Sequence, residues 1–366
     1  MRKIFSRFIT VCLLVLVCIP GAWAEESDTS GLTLQMAIDR AMQQDISLRN
    51  AEYDVERGQE VRDYVADKLE YIPSGPVASS DVENLMLNQT QTEINYNMSR
   101  KNYEAKKDSV EMSVIEAYNE VIQAQEKAKV AEVKLNNADW QRRVALTSKV
   151  VGTLDNLNYK QAEANYIAAK TTLESSVKAL EDAYQKFNQL MGFSPDARPV
   201  LLDMPELKPV EVASLDSEVS RILDSSPSVW LAEQNVYLAK LTKRLYDFTD
   251  SHRTEPYEAK EIDLKKAELS TADIKDMTGK TVRTFYYSLK QLEEQYAGAK
   301  ESVTVAEEAL KVAKVKYEIG MLTKSDLLKA ETDLLEAQQN VLAISGQHQI
   351  LAYAFKKPWA YGVGQS

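Results

Sequence analysis

Lys149 to Asn165 reads KVVGTLDNLNYKQAEAN, and Lys316 to Asp333 reads KYEIGMLTKSDLLKAETD. Placed at an offset of 168 residues without a gap, Gly152 meets Gly320, Leu154 meets Leu322, Ala162 meets Ala330 and Glu163 meets Glu331. The same offset pairs Tyr118 with Tyr286 and Gln123 with Gln291 far upstream. A repeat of this length means two copies of one structural unit, each of which would leave an apolar face uncovered alone. Around each glycine the chain lacks proline over very long spans, Val77 to Ser194 and Tyr257 to Lys357, and is rich in Ala, Leu, Glu, Lys and Gln. Such spans predict very long helices that turn at the glycines.

Their apolar period is seven. Tyr296, Val303, Leu310 and Tyr317 recur at that stride, with Ala299, Ala306 and Ala313 beside them. Leu327, Leu334 and Val341, with Ala330, Ala337 and Ile344, continue it past Gly320. The first copy shows Ala131, Ala138 and Ala145 before its glycine and Tyr159, Tyr166 and Leu173 after it. A strict heptad keeps one seam facing a partner helix. Each half is therefore predicted to hold an antiparallel coiled-coil hairpin with its tip at Gly152 or Gly320. At 1.5 Å per residue, helices of this size reach roughly 100 Å. Heptad alanine and leucine also suit a spectrin-like scaffold, so periodicity leaves scaffold and duct both open.

Composition narrows the classes. Arg2, Lys3 and Arg7 precede an apolar run from Phe8 to Ile19 and the Ala22-Trp23-Ala24 site, the pattern of a cleaved export signal. Cys12 and Cys18 are both inside it, so the remainder has no thiol for disulfide, redox or metal chemistry. Without the signal the net charge moves from −11 to about −14, which disfavours nucleic acid as a partner. Only His252 and His348 are present, without metal-ligand spacing, and are expected as surface or packing residues. No phosphate-cradling loop or nucleophile elbow occurs, and pairs such as Glu293-Glu294 read as solvated faces. The chain is expected to be no enzyme, with no cofactor and no metal. The predicted organisation is a signal at 1–24, a first helical repeat at 25–194, a proline-rich linker at 195–215, a second repeat at 216–357 and a tail at 358–366.

Three stretches carry a family likeness: LTLQMAIDRAMQQDISLRNAEYDVE, echoed by SEVSRILDSSPSVWLAEQNV; AYNEVIQAQEKAKVAEVKL, echoed by FYYSLKQLEEQYAGAKESV; and the tip KYEIGMLTKSDLLKAETDLLEAQ. The chain resembles the TolC-type outer-membrane efflux proteins over about Leu32 to Ala352. The resemblance implies a homotrimeric helical tunnel beneath a membrane barrel, docked on a membrane-fusion adaptor and an inner-membrane pump. It places adaptor-docking tips at Val151, Gly152, Thr153 and Leu154, and at Ile319, Gly320, Met321, Leu322 and Thr323. It places Asp326 at the inner aperture, with Lys329 where a second acid is expected; the bland alternative is an Asp326–Lys329 surface pair. Location follows as the cell envelope, facing the periplasm or in the outer membrane.

One departure stands out. A membrane strand needs about 9–11 residues and a hairpin about 30, yet TEPYEAKEIDLKKAELSTADIKDM reads as charged helix. Only Tyr71 to Ser80 and Phe248 to Pro256 are free to turn, and the alternation Ile94, Tyr96, Met98 is the single strand-like remnant. Hence the predicted fold is all-α, two pseudo-repeats of long coiled-coil hairpins with little or no β-barrel. A non-transporting envelope scaffold is the competing function.

Overall fold

The computed structural model describes residues 31–68, 80–251 and 253–361. The signal at 1–24, His252, and most of the Tyr71–Ser80 turn fall outside them. Among the described residues there are eight α-helices: α1 Leu34–Gln44, α2 Ile46–Ala66, α3 Ser80–Val150, α4 Asn156–Met191, α5 Leu215–Ser225, α6 Pro227–Arg244, α7 Tyr257–Glu318 and α8 Lys324–Lys356. A 3₁₀ turn, Pro358–Ala360, follows. No strand occurs among the described residues, only an isolated parallel bridge between Leu32 and Leu201. The helical hairpins are thus as expected. The Ile94–Met98 alternation, read above as strand-like, lies inside α3 with Ile94 buried.

Local chemistry explains the punctuation. Thr33 caps α1, and Asp45 ends α1 while its carboxylate accepts from Leu48 N at 2.7 Å to start α2. In the second repeat Ser226 ends α5 and caps α6, with Pro227 in the first turn, where a missing N–H costs nothing. The tips are Schellman turns. Gly152 N donates to Lys149 O and Thr153 N to Ser148 O; Gly320 N donates to Tyr317 O and Met321 N to Lys316 O. Both glycines take positive φ, +82° and +74°, which a side chain would strain. The next helices then start on Asp155 and Thr323 caps.

The repeat is written into the core as well. Tyr118 and Phe187 meet edge to face at 6.0 Å in the first unit, and Tyr286 and Phe355 meet at 5.9 Å in the second. Phe187 and Phe355 are both fully buried and sit 168 residues apart, as do the buried Val114 and Val282. Around the first pair cluster Ala37, Ala41, Val121 and Met191 from α1, α3 and α4. Around the second cluster Val219, Ile222 and Leu289 from α5 and α7.

Two features join the units. Gly346 of α8 lies so close to α3 that a Cβ there would stand 2.8 Å from Gln123 Nε2. The segment between the repeats is sewn to both: Leu32 N donates to Val200 O, Leu202 N to Leu32 O and Leu34 N to Asp203 Oδ2 in the first, and Val210 N donates to Glu293 Oε1 in the second. Tyr118 Oη donates to Leu32 O and accepts from Asp203 N, so one buried hydroxyl ties helix core to strap.

Candidate docking tips and a closed opposite end

Both tips lie at one end of the molecule. Ser325 of α8, just past the second tip, accepts from Gln141 Nε2 of α3 at 2.9 Å and donates to Asn137. Lys134 pairs with Glu336 further along the same contact. Each tip is braced by a lysine over a tyrosine of its own hairpin: Lys149 lies 4.4 Å from the Tyr159 ring and Lys324 5.7 Å from the Tyr317 ring. Beyond these braces the apolar side chains point into solvent. Val151 is 71% exposed, Ile319 63% and Met321 75%.

The exposed apolar end reaches past the expected residues of the first turn, by one residue before Val151 and three after Leu154. Val150 and Leu157 are as exposed as the named tip residues and extend the same apolar end. Their signal was an apolar side chain at positions off the heptad seam, where a solvated hairpin would carry charge.

Asp326 closes a capping box: its carboxylate accepts from Thr323 Oγ1 at 2.6 Å, and its N–H returns the contact. Lys329 pairs with Asp333 at 3.1 Å, not with Asp326. The i, i+3 pair entertained from sequence therefore does not form, because the cap holds Asp326 in the first turn while Lys329 reaches along the helix.

At the opposite end, the described residues between α6 and α7 are packed against the start of α3 by side chains. Arg253 pairs with buried Glu83 at the start of α3, and its Nε donates to Asp247 O at 2.8 Å. Its guanidinium lies 4.1 Å from the ring of Tyr246, which meets Phe248 and Tyr257 edge to face. Thr249 donates twice to Asp247, and this holds the Asp247 carboxyl below its ordinary range. Leu241 and Leu245 fill the space against Val82, Met86 and Leu87. Residues 245–251 and 253–256 thus pack between α6 and α7, and the whole connection is far below the ~30 residues that a spanning hairpin requires.

Midway along, one residue differs from expectation. His348 is buried in α8 as a packing histidine, but its partner Glu293 is no solvated acid. Val210 N and Lys290 Nζ donate to opposite oxygens of that carboxylate, and Lys290 also donates to Val210 O, so the pair clasps the strap. Paired acids at i, i+1 look solvated from sequence, because nothing there shows that a distant loop crosses one of them. Burial pushes His348 below its ordinary value of 6.5, despite Glu293 at 3.5 Å. Burial also opposes the charge on Glu293, but Lys290 and the Val210 N–H outweigh it and hold the carboxyl low.

Both groups bind protons more readily in the unfolded chain, so both stabilise the fold at neutral pH. The histidine contribution is complete above about 6.5 and declines as pH falls toward the lowered native value. Glu293 adds a further loss below its ordinary carboxyl range. Thermal melts are expected to fall between pH 7 and 5 in the natural protein. His348→Gln should flatten the part above pH 5; an unchanged slope would assign that loss elsewhere.

Residues 231–355 match the family model described as outer membrane efflux protein. Among solved structures, the Campylobacter jejuni CmeC outer membrane channel superposes with a TM-score of 0.66 at 14% identity, over 91% of this chain and 86% of that one. The outer-membrane channel OprN gives 0.65 at 14% identity, over 90% of each chain. The open state of the Neisseria gonorrhoeae MtrE outer membrane channel gives 0.60 at 16% identity, over 90% of this chain and 89% of that one. No curated protein sequence matches. At such identities the superpositions speak for the fold, while the family match speaks for the sequence of the second repeat. The second repeat is thus similar in sequence to the outer membrane efflux family, and the chain shares the fold of outer-membrane channels.

Proposed function

We propose that the protein is an exported, envelope-located component of a passive efflux duct, docking by its tips on an adaptor that links it to an energised pump. The observation that carries this reading is the pair of Schellman tips held side by side with Val150, Val151, Ile319 and Met321 exposed. Solitary exposed apolar residues are ordinary, but a cluster at the end of a long rigid rod is the form of a contact surface. Two hairpins cannot enclose a lumen, so a duct needs three copies. Asp326, exposed at the second tip, then contributes one carboxylate per copy at the mouth, where converging charges would favour cations. The protein acts without chemistry of its own, in keeping with relatives that are channels.

Among the described residues no helix is long and apolar enough to cross a membrane. The short, packed connection between α6 and α7 specifically favours a second reading, an envelope scaffold that keeps the rods and transports nothing. Light scattering separates the two. A trimer, or a trimer formed on adding adaptor, supports the duct; a monomer with and without detergent and adaptor would sink it. Val151→Asp with Met321→Asp should leave the helix content unchanged and weaken adaptor binding at least about tenfold. Equal binding by this variant would remove the tips from the interface.

A further inference from the structure

The strap between the repeats is fastened at two places and unbonded between them. On the first repeat Val200, Leu202 and Asp203 are bonded to Leu32, Leu34 and Tyr118. On the second, Glu293 accepts from Val210 N at 2.9 Å and Lys290 donates to Val210 O at 2.8 Å. From Met204 to Pro209 the strap makes no hydrogen bond to the described residues. Pro205 and Pro209 have no N–H with which to make one. The span crosses a hollow of about 1060 Å³, walled otherwise by α1, α3 and α8.

His348 stands at the second fastening. It is 2% exposed, and its Nε2 lies 3.5 Å from Glu293 Oε1, the oxygen that accepts from Val210 N. That separation is too long for a good hydrogen bond, whereas a protonated imidazole bonds a carboxylate at about 2.7–2.9 Å. Closing the gap draws the carboxylate away from the strap amide. Lys290 opposes a second cation here, since its ammonium already holds Glu293 Oε2 at 2.7 Å. Of the other charges at the hollow, Glu111 of α3 accepts from Tyr353 Oη and lies 3.6 Å from Lys357, and Asp203 accepts from Leu34 N. Glu206, Lys208 and Glu211 are exposed on the strap, as is Lys356 at the end of α8, and α1 presents only Leu34, Gln35 and Ile38.

We propose that His348, Glu293 and Lys290 form an acid-released latch for the strap. At neutral pH the imidazole is uncharged and Glu293 is left to Val210 and Lys290. A proton on His348 adds a buried positive charge that Glu293 cannot fully offset while it holds both of those partners. Lifting residues 204–211 admits water through the hollow and lets the imidazolium pair with Glu293. The opening is local, because Val210 carries the only hydrogen bonds between that stretch and the described residues. The strap thus leaves the second repeat and stays on the first, where backbone groups, the Tyr118 hydroxyl and the Asp203 carboxylate hold it. Burial keeps the closed-state histidine below 6.5, so the open state binds the proton more tightly. The opening constant is therefore flat above about pH 6.5 and rises as pH falls, by up to about tenfold per unit. Glu293 is held low and stays charged in that window. The device works equally in a duct or a scaffold.

The test is hydrogen exchange in the full mature chain labelled with 15N-valine, read by NMR as protection factors, which removes the intrinsic effect of pH. Val114 and Val282, buried in α3 and α7, report opening of the whole fold. The Val210 amide is expected to exchange far faster than either and to respond little to dilute urea, the mark of a local opening. Its protection should fall by up to about tenfold between pH 7.5 and 5.5. His348→Gln should keep the strap closed and remove that fall; if this variant loses the natural circular dichroism, His348→Leu carries the same test. Glu293→Ala, which takes away the fastening and leaves the imidazole, should leave Val210 unprotected at both pH values. Val210 protection that equals that of Val282 and falls with it in urea would mean that the strap leaves only with the fold, and overturns the proposal. So does protection that is independent of pH, or a fall that persists without the histidine. Val210 still protected in Glu293→Ala would place the fastening elsewhere and equally overturn it.

Discussion

Replacing Arg253 by alanine is expected to loosen the closed end at a cost of about 3–5 kcal/mol, the penalty for stranding a buried charge. Glu83 is 5% exposed, and Arg253 is its cation. The same guanidinium also lies on Tyr246 and bonds the Asp247 carbonyl, so its loss frees one side of the α6–α7 connection around those residues. Leu241, Leu245, Val82 and Met86 would remain in contact, and the damage should therefore be local. Chemical denaturation together with hydrogen exchange in α6, α7 and the first turns of α3 checks this. Adding Glu83→Gln to Arg253→Ala should recover part of the loss, since it removes the stranded charge. If Arg253→Ala unfolds as the natural protein does, with unchanged exchange at this end, the ion pair contributes nothing to the closure.

Phe187→Ala is expected to cost about 3–5 kcal/mol, in the range for deleting a buried aromatic side chain. Phe187 is fully buried at the crossing of α1, α3 and α4, where it meets Tyr118 edge to face. Long helices cannot move inward independently to fill the space, because the strap and the Tyr118 hydroxyl bonds fix their spacing. Phe355→Ala should show a loss of similar size, as the same position in the second repeat. Urea titrations of both variants are the check. A loss below about 1 kcal/mol for either would mean that its cluster collapses around the gap. A change in slope as well as midpoint would show that the two repeats unfold separately.

Much of this architecture was legible because its determinants are local and repeated. The seven-residue seam set the hairpins, and Ala299 and Ala313 are indeed buried along it. Gly152 and Gly320 were readable as turns because positive φ is a property of one residue. The charged helical sequence after Pro256 told that no spanning hairpin fits there, and α7 occupies it. The misread places are those decided by partners distant in the chain. Glu293 looked solvated until Val210 was laid across it. The Ile94–Met98 alternation looked extended, yet in a continuous helix Ile94 alone of the three is buried, facing its neighbours. Asp326 looked free for Lys329 until the turn geometry gave it to Thr323.

By itself, then, the sequence determined the number of hairpins, where they turn, and the absence of room for a membrane hairpin before α7. These follow from helix propensity, periodicity and backbone conformation, which act within a few residues. Only the tertiary structure decided that the two tips stand together, that Arg253 and Glu83 close the other end, and that the strap is clasped over His348. Each of these depends on burial, which makes a charge or an amide find its partner across the chain rather than along it.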